Sequence, residues 1–190
     1  LTADLARPAV RPHSRYLPRT VAVAVENTHL ASGGRVMAEE DGLGIRELAD
    51  QAGLFVHMDG ARLWNACAAT GLAPSDYASG FDTVSVCFSK GLGAPMGSVL
   101  AGTRELIDRA RRFKQLFGGG WRQAGIMAAG ALFAMENHRD RLAEDHANAA
   151  LFADGLLDID GVEVDRQAVE TNIVRFTLSR TPAAKFVDQC

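Results

Sequence analysis

Three short apolar runs constrain this chain more than any other feature: Val21-Ala-Val-Ala-Val25, Leu54-Phe-Val-His-Met58 and Thr83-Val-Ser-Val-Cys-Phe88. Each is too short for a helix and nearly continuous in its hydrophobicity, the pattern of a strand buried in a parallel sheet. Helical patterns lie between them. Residues 43–52 place Ile45, Leu48, Ala49 and Ala52 at helical spacing and stop at Gly53, a residue suited to the left-handed turn that ends a helix. Residues 61–70 form a second such segment, closed by Gly71. Strand, helix, strand, helix, strand is the order of an α/β fold with a largely parallel sheet. Ligands of such sheets bind beyond the carboxyl ends of the strands, so the residues that follow each apolar run are the ones to read for function.

Those residues are polar. Glu26-Asn-Thr-His29 closes the first run and reads most simply as a capped turn. The second ends at Asp59, which serves equally well as a helix cap or as a site carboxylate. The third ends at Ser89-Lys90, and a glycine- and proline-bearing turn leads into a fourth apolar run at residues 98–101. Lysine is rarely buried without a partner. Lys90 therefore reads either as a side chain reaching out of a loop or as a desolvated amine suited to imine chemistry, among glycines that admit a second body. An acid and a lysine on comparable strand ends suit pyridoxal phosphate. That cofactor is held by a lysine amine and needs a carboxylate at its ring nitrogen, where opposite charges stabilise each other.

The remaining chain supplies context. Residues 1–20, rich in proline and arginine, read as loop or crossover. Residues 103–117 read as an amphipathic helix with Ile107, Ala110, Phe113 and Phe117 on one face, and the acids Glu105 and Asp108 among its arginines mark a solvated face, not a nucleic-acid patch. The segment from Ala124 to Met135 has almost no polar face and is expected to be buried, in the core or against a partner subunit. A more polar helix over residues 137–157 carries His138 and His146, read as solvated. Val162-Glu-Val164 and a strand at residues 172–178 suggest a small α+β lobe. The division expected is 1–136 for a large domain and 137–190 for the start of a smaller one. The first residue is not methionine and the last strand runs into a short stub, so the chain reads as part of a longer one.

With 190 residues, 47% apolar and 23% charged, the chain has the make-up of an ordinary globular protein. Its net charge of -3 gives no reason to expect a nucleic acid or an acidic membrane as partner. No apolar run approaches the ~20 residues of a membrane helix. Cys67, Cys87 and Cys190 lack metal-ligand spacing and read as free thiols in a reducing, cytoplasmic setting. No metal site is expected.

His57-Met-Asp-Gly-Ala-Arg62, Ser89-Lys-Gly-Leu-Gly-Ala-Pro-Met-Gly-Ser98 and Gly118-Gly-Gly-Trp-Arg-Gln-Ala-Gly125 together resemble the low-specificity L-threonine aldolase family. Glu26-Asn-Thr-His29 and Thr171-Asn-Ile-Val174 match it as well. Met96 stands where valine is usual, and Trp121 where methionine is common. The resemblance implies the aspartate-aminotransferase-like fold, pyridoxal phosphate as cofactor, and retro-aldol cleavage of β-hydroxy-α-amino acids to glycine and an aldehyde. It implies Lys90 as the cofactor-binding amine and Asp59 as the partner of the ring nitrogen. Arg62 would bind the substrate carboxylate, Arg122 the cofactor phosphate of a neighbouring subunit, and His13 the substrate hydroxyl. His57, on the same strand face as Asp59, would buttress the site. A homo-oligomer, a dimer of dimers with shared sites, follows from the same likeness. A ring-stacking histidine, a phosphate-binding loop and a further substrate arginine, which the family requires, are expected outside this chain.

Three other readings stand beside this one. A different pyridoxal-phosphate enzyme, a β-eliminating lyase or an aminotransferase, would use the same Lys90 and Asp59. Residues 91–97 could be a dinucleotide loop, but Pro95 lies inside it and a strand-like run follows where a helix is required. The chain could also be an inactive, truncated relative serving only as an assembly surface.

Overall fold

The computed structural model describes residues 1–188. The apolar runs become β1 (Ala22–Glu26), β2 (Phe55–Gly60) and β3 (Thr83–Cys87), three parallel neighbours, with β4 (Ser98–Gly102) antiparallel on the far side of β3. The expected α/β fold with a mostly parallel sheet is what forms. Register sets Glu26 level with Asp59, and Asp59 level with Ser85, so the carboxyl ends of the parallel strands finish together. A second, two-stranded sheet pairs β5 (Val162–Val164) with β6 (Phe176–Leu178).

The strands are buried more on one face than on the other. Val56 and Met58 are fully buried with Ile45, Leu48 and Leu63, whereas Phe55 and His57, pointing oppositely, are half-buried. Ile45 and Leu48 belong to α2 (Glu39–Ala52), and Leu63 begins α3 (Leu63–Thr70). The α2 helix starts earlier than its apolar spacing suggests, because Glu39, Glu40 and Asp41 favour a helix N-terminus through its dipole. Asp82, just before β3, ties sheet to helix: its carboxylate accepts from the Val56 amide at 2.7 Å and from Arg46 of α2 at 3.1 Å. Arg46 gains from Asp82 and Asp50 more than burial takes away, so its guanidinium stays firmly charged.

Several expectations are corrected. Residues 1–20 are not all loop: Thr2 caps a short α1 (Ala3–Ala6), which buries Ala6 and runs into a 3-10 turn. Pro74 opens a short α4 (Pro74–Ala78) that carries no apolar period. The amphipathic helix forms as α5 (Arg104–Leu116), but its apolar face is only partly covered: Ile107 and Ala110 are half-buried, whereas Phe113 is exposed and Phe117 is 82% exposed. The apolar helix forms as α6 (Gly125–Asn137), yet only Ala131 and Ala134 are buried and Ile126 is 78% exposed. The expected helix over 137–157 is a 3-10 turn followed by α7 (Leu142–Leu157). The strand expected at 172–178 shrinks to β6. Before it, Thr171 donates to the Gly34 carbonyl and Glu170 pairs with Arg35 at 2.6 Å, which draws this stretch to the loop after β1. A last short helix, α8 (Ala183–Val187), follows Pro182.

Candidate active site

The carboxyl ends of β1, β2 and β3 are stitched together by their own backbones. The Asn27 amide donates to the Asp59 carbonyl at 2.9 Å, and the Arg62 amide donates to the Asn27 carbonyl at 3.3 Å. Asn27 and Thr28 are fully buried, and the Asn27 side-chain carbonyl accepts from the Met37 amide at 3.1 Å. The motif at the end of β1 is thus more than a capped turn, because it fixes where β2 delivers Asp59 and Arg62. Gly60 sits at the crossing: a Cβ there would stand 2.7 Å from the Ser85 carbonyl oxygen, so no other residue lets β2 turn this close to β3.

Asp59 is exposed, and its carboxylate accepts from the Ala61 amide at 3.0 Å. It forms a local turn and does not cap a helix, since Arg62 occupies the cap position of α3. Its functional reading therefore survives its structural rival. Arg62 is half-buried and forms no ion pair among the described residues. His57 is half-buried behind Asp59, with Nδ1 2.9 Å from the Thr83 hydroxyl, a bond from β2 to β3 that suits a buttress.

Lys90 stands three residues past the end of β3, in the turn joining β3 to β4. The turn is closed by Gly93 N–H to Lys90 carbonyl at 2.8 Å, Ala94 N–H to Phe88 carbonyl at 3.0 Å and Phe88 N–H to Gly97 carbonyl at 2.9 Å. Its backbone is tightly bonded, but its side chain is exposed, so the expected desolvation between apolar strands is not found. Lys90, Asp59 and Arg62 share one sheet edge, and none is in an ion pair among the described residues. His13 and Arg122 are not drawn into this group. His13 lies exposed in the stretch between the first 3-10 turn and β1, and Arg122 lies exposed just before α6.

Near the Lys90 turn, Asn65, which the sequence did not single out, comes together with His138 and His146, which read as solvated. Asn65 on α3 donates to Nε2 of His146 on α7 at 3.1 Å, and His138 donates through Nδ1 to the Leu92 carbonyl at 2.7 Å. Both histidines are half-buried, contrary to the solvated reading, and burial holds His146 below its ordinary value. One signal was available: Asn65 interrupts an otherwise apolar run, Leu63-Trp-Asn-Ala-Cys-Ala-Ala. A cavity of about 630 Å³, lined by Glu26, His29 and Arg35 among others, follows the outer edge of β1, and Asp59 and Lys90 do not line it. Cys67 is buried and Cys87 half-buried, both as free thiols, while Cys190 lies outside the described residues. Burial pushes the Cys67 thiol up. Among the described residues no cluster of ligating side chains could hold a metal, and no helix is long and apolar enough to cross a membrane.

A family model described as beta-eliminating lyase matches residues 1–179. The chain belongs to that family. Over 161 residues it is 42% identical to low-specificity L-threonine aldolase 1 of Arabidopsis thaliana, which covers 85% of this chain and 45% of that protein. Over 175 residues it is 38% identical to the low specificity L-threonine aldolase of Escherichia coli strain K12, with 92% of this chain and 51% of that protein covered. Among solved structures, a provisionally named L-allo-threonine aldolase of Listeria monocytogenes matches with a TM-score of 0.81 and 26% identity over 93% of this chain and 47% of that one. The chain spans about half the length of the curated relatives it matches.

Proposed function

We propose that this chain supplies the lysine-bearing half of a pyridoxal-phosphate-dependent carbon–carbon lyase, a low-specificity threonine aldolase that cleaves L-threonine or L-allo-threonine to glycine and acetaldehyde. The observation that carries this reading is the placement of Asp59, Arg62 and Lys90, all free of ion pairs, at the carboxyl ends of adjacent parallel strands.

The donor set fits the cofactor. An exposed carboxylate, a half-buried guanidinium and an exposed amine follow the carboxyl ends of two neighbouring parallel strands, and the Asn27 side-chain amide and Thr28 hydroxyl are buried nearby without partners among the described residues. Buried polar groups are rarely left unpaired, so this edge has hydrogen-bonding capacity to offer a ligand. Lys90 would hold the cofactor through its amine and Asp59 would keep its ring nitrogen protonated. Pyridoxal phosphate, when bound, supplies a sink for the electrons of the broken bond. Arg62 would grip the substrate carboxylate with its fork of donors and so set which bond at the α-carbon is cleaved. His13 is assigned to the substrate hydroxyl, and Arg122 is assigned to the cofactor phosphate in the site of a neighbouring subunit.

The same reading places the protein in the cytoplasm, in glycine formation, as a homotetramer, with a division near residue 137 between a large domain and a smaller one. Free thiols at Cys67 and Cys87 and the exposed large apolar side chains of α5 and α6 support it. The test is product analysis on the full protein. Glycine and acetaldehyde from either threonine isomer, lost in Lys90→Ala, are expected. Pyruvate or ammonia from another amino acid would instead favour the β-eliminating reading that the family description carries.

A further inference from the structure

The geometry points to a clamp, made by Asn65, His138 and His146, that fixes the backbone of the Lys90 turn and so acts as a positioning device for the Lys90 amine. The proposal rests on the reading of Lys90 as the cofactor-binding residue.

Lys90 has an exposed side chain on an anchored backbone, and besides the bonds that close the turn on itself, the anchors come from α3 and from the chain around α7. Three residues before it, the Cys87 carbonyl accepts from the Trp64 indole at 3.1 Å. One residue after it, Gly91 lies so close to α3 and α7 that a Cβ would stand 2.9 Å from Leu142 Cδ2 and 3.1 Å from Asn65 Oδ1. Two residues after it, Leu92 is fully buried and its carbonyl accepts from His138. Asn65 cannot drift from this position, because its side-chain amide donates to His146. Its backbone amide donates to the Arg62 carbonyl at 3.0 Å. The first turn of α3 thus joins Arg62, at the cap, to the Lys90 turn, while α7 locks the junction from outside.

This arrangement explains two features that the proposed catalytic group leaves unused: a polar asparagine in the buried run of α3 and two half-buried histidines at the start of the C-terminal helices. The direction of each bond follows from its atoms. An amide nitrogen only donates, so His146 Nε2 accepts; a carbonyl only accepts, so His138 Nδ1 donates. The side-chain carbonyl introduced by His146→Gln could present an acceptor where Nε2 stands, and the methyl group left by His146→Ala could not. Side chains that hold a reactive group from behind matter because small displacements of that group are costly in rate.

The test uses the full protein with His146→Ala and His146→Gln, followed by two readouts. The first is amide hydrogen exchange across residues 89–97, which needs no cofactor. Exchange in His146→Ala is expected to be at least about fivefold faster than in the parent, as loss of one buried hydrogen bond allows, with His146→Gln close to the parent. The second is the apparent affinity for pyridoxal phosphate, read from the absorbance of the lysine adduct. It should weaken on the order of tenfold in the alanine variant and recover in the glutamine variant. Unchanged exchange in both variants would overturn the clamp, and so would equal damage in both, which would mark a packing role with no specific bond. If the parent protein forms no adduct while the exchange pattern holds, the proposed function fails and with it the positioning role, and only the bracing of the turn stands.

Discussion

At the scale of single residues, the candidate site depends on charges that the fold leaves uncompensated. Asp59 is bonded only to a backbone amide, so its carboxylate is available to a cation. Asp59→Asn keeps the shape and the bond to Ala61 but removes the charge, and kcat should fall on the order of 10²-fold with little change in melting temperature. Arg62→Lys keeps the charge and loses the fork; KM for the amino acid should rise about tenfold, as loss of one charge-assisted bond implies. His146 gives a pH prediction. Burial holds its folded value below the ordinary 6.5, and Asp145 on its own helix only partly offsets this. Arg141, Glu144, Asp145 and His138 line the adjoining cavity. In the window below 6.5 the unfolded chain takes up the proton and the folded one does not, so stability falls as pH drops through it and is flat above. Denaturant midpoints of the parent should show this drop relative to His146→Gln; parallel curves would refute it.

At the scale of elements, β2 carries both structure and chemistry. Its alternation sends Val56 and Met58 into the core and leaves Asp59 exposed at the end. Met58→Ala should cost about 2–5 kcal/mol by denaturant unfolding, because the side chain is fully buried against α2 and α3. The sheet order and the lysine-bearing turn were legible in the sequence, since parallel strands announce themselves by short apolar runs and the motifs fall where those runs end. What was not legible depended on long-range contacts. Nothing local distinguishes a solvated histidine from His138 or His146, whose partners lie 46 and 81 residues away. Lys90 looked desolvated because its neighbours in sequence are apolar, yet the turn carries its side chain outward. The strand expected at 172–178 gave way to a tertiary bond, Thr171 to Gly34, that no local pattern encodes.

At the scale of the whole molecule, the sheet is covered unevenly and helices α5 and α6 are only partly covered. Residues such as Leu116, Phe117, Ile126 and Phe133 are exposed, and a concentration of exposed large apolar side chains on two neighbouring stretches of chain suits a site of association. With the proposed oligomer, the full protein should sediment as a tetramer, and Ile126→Asp should shift it towards smaller species in analytical ultracentrifugation. A tetramer unmoved by that change would place the interface elsewhere. The central claim, that Lys90 is the amine that holds pyridoxal phosphate, has one direct measurement. The chain contains three lysines, Lys90, Lys114 and Lys185. Reduction of the cofactor-loaded full protein with borohydride, followed by peptide mapping, should find the pyridoxyl label on Lys90 alone within this chain. Label on Lys114 or Lys185 with Lys90 unmodified, or no label on the chain at all, would contradict it.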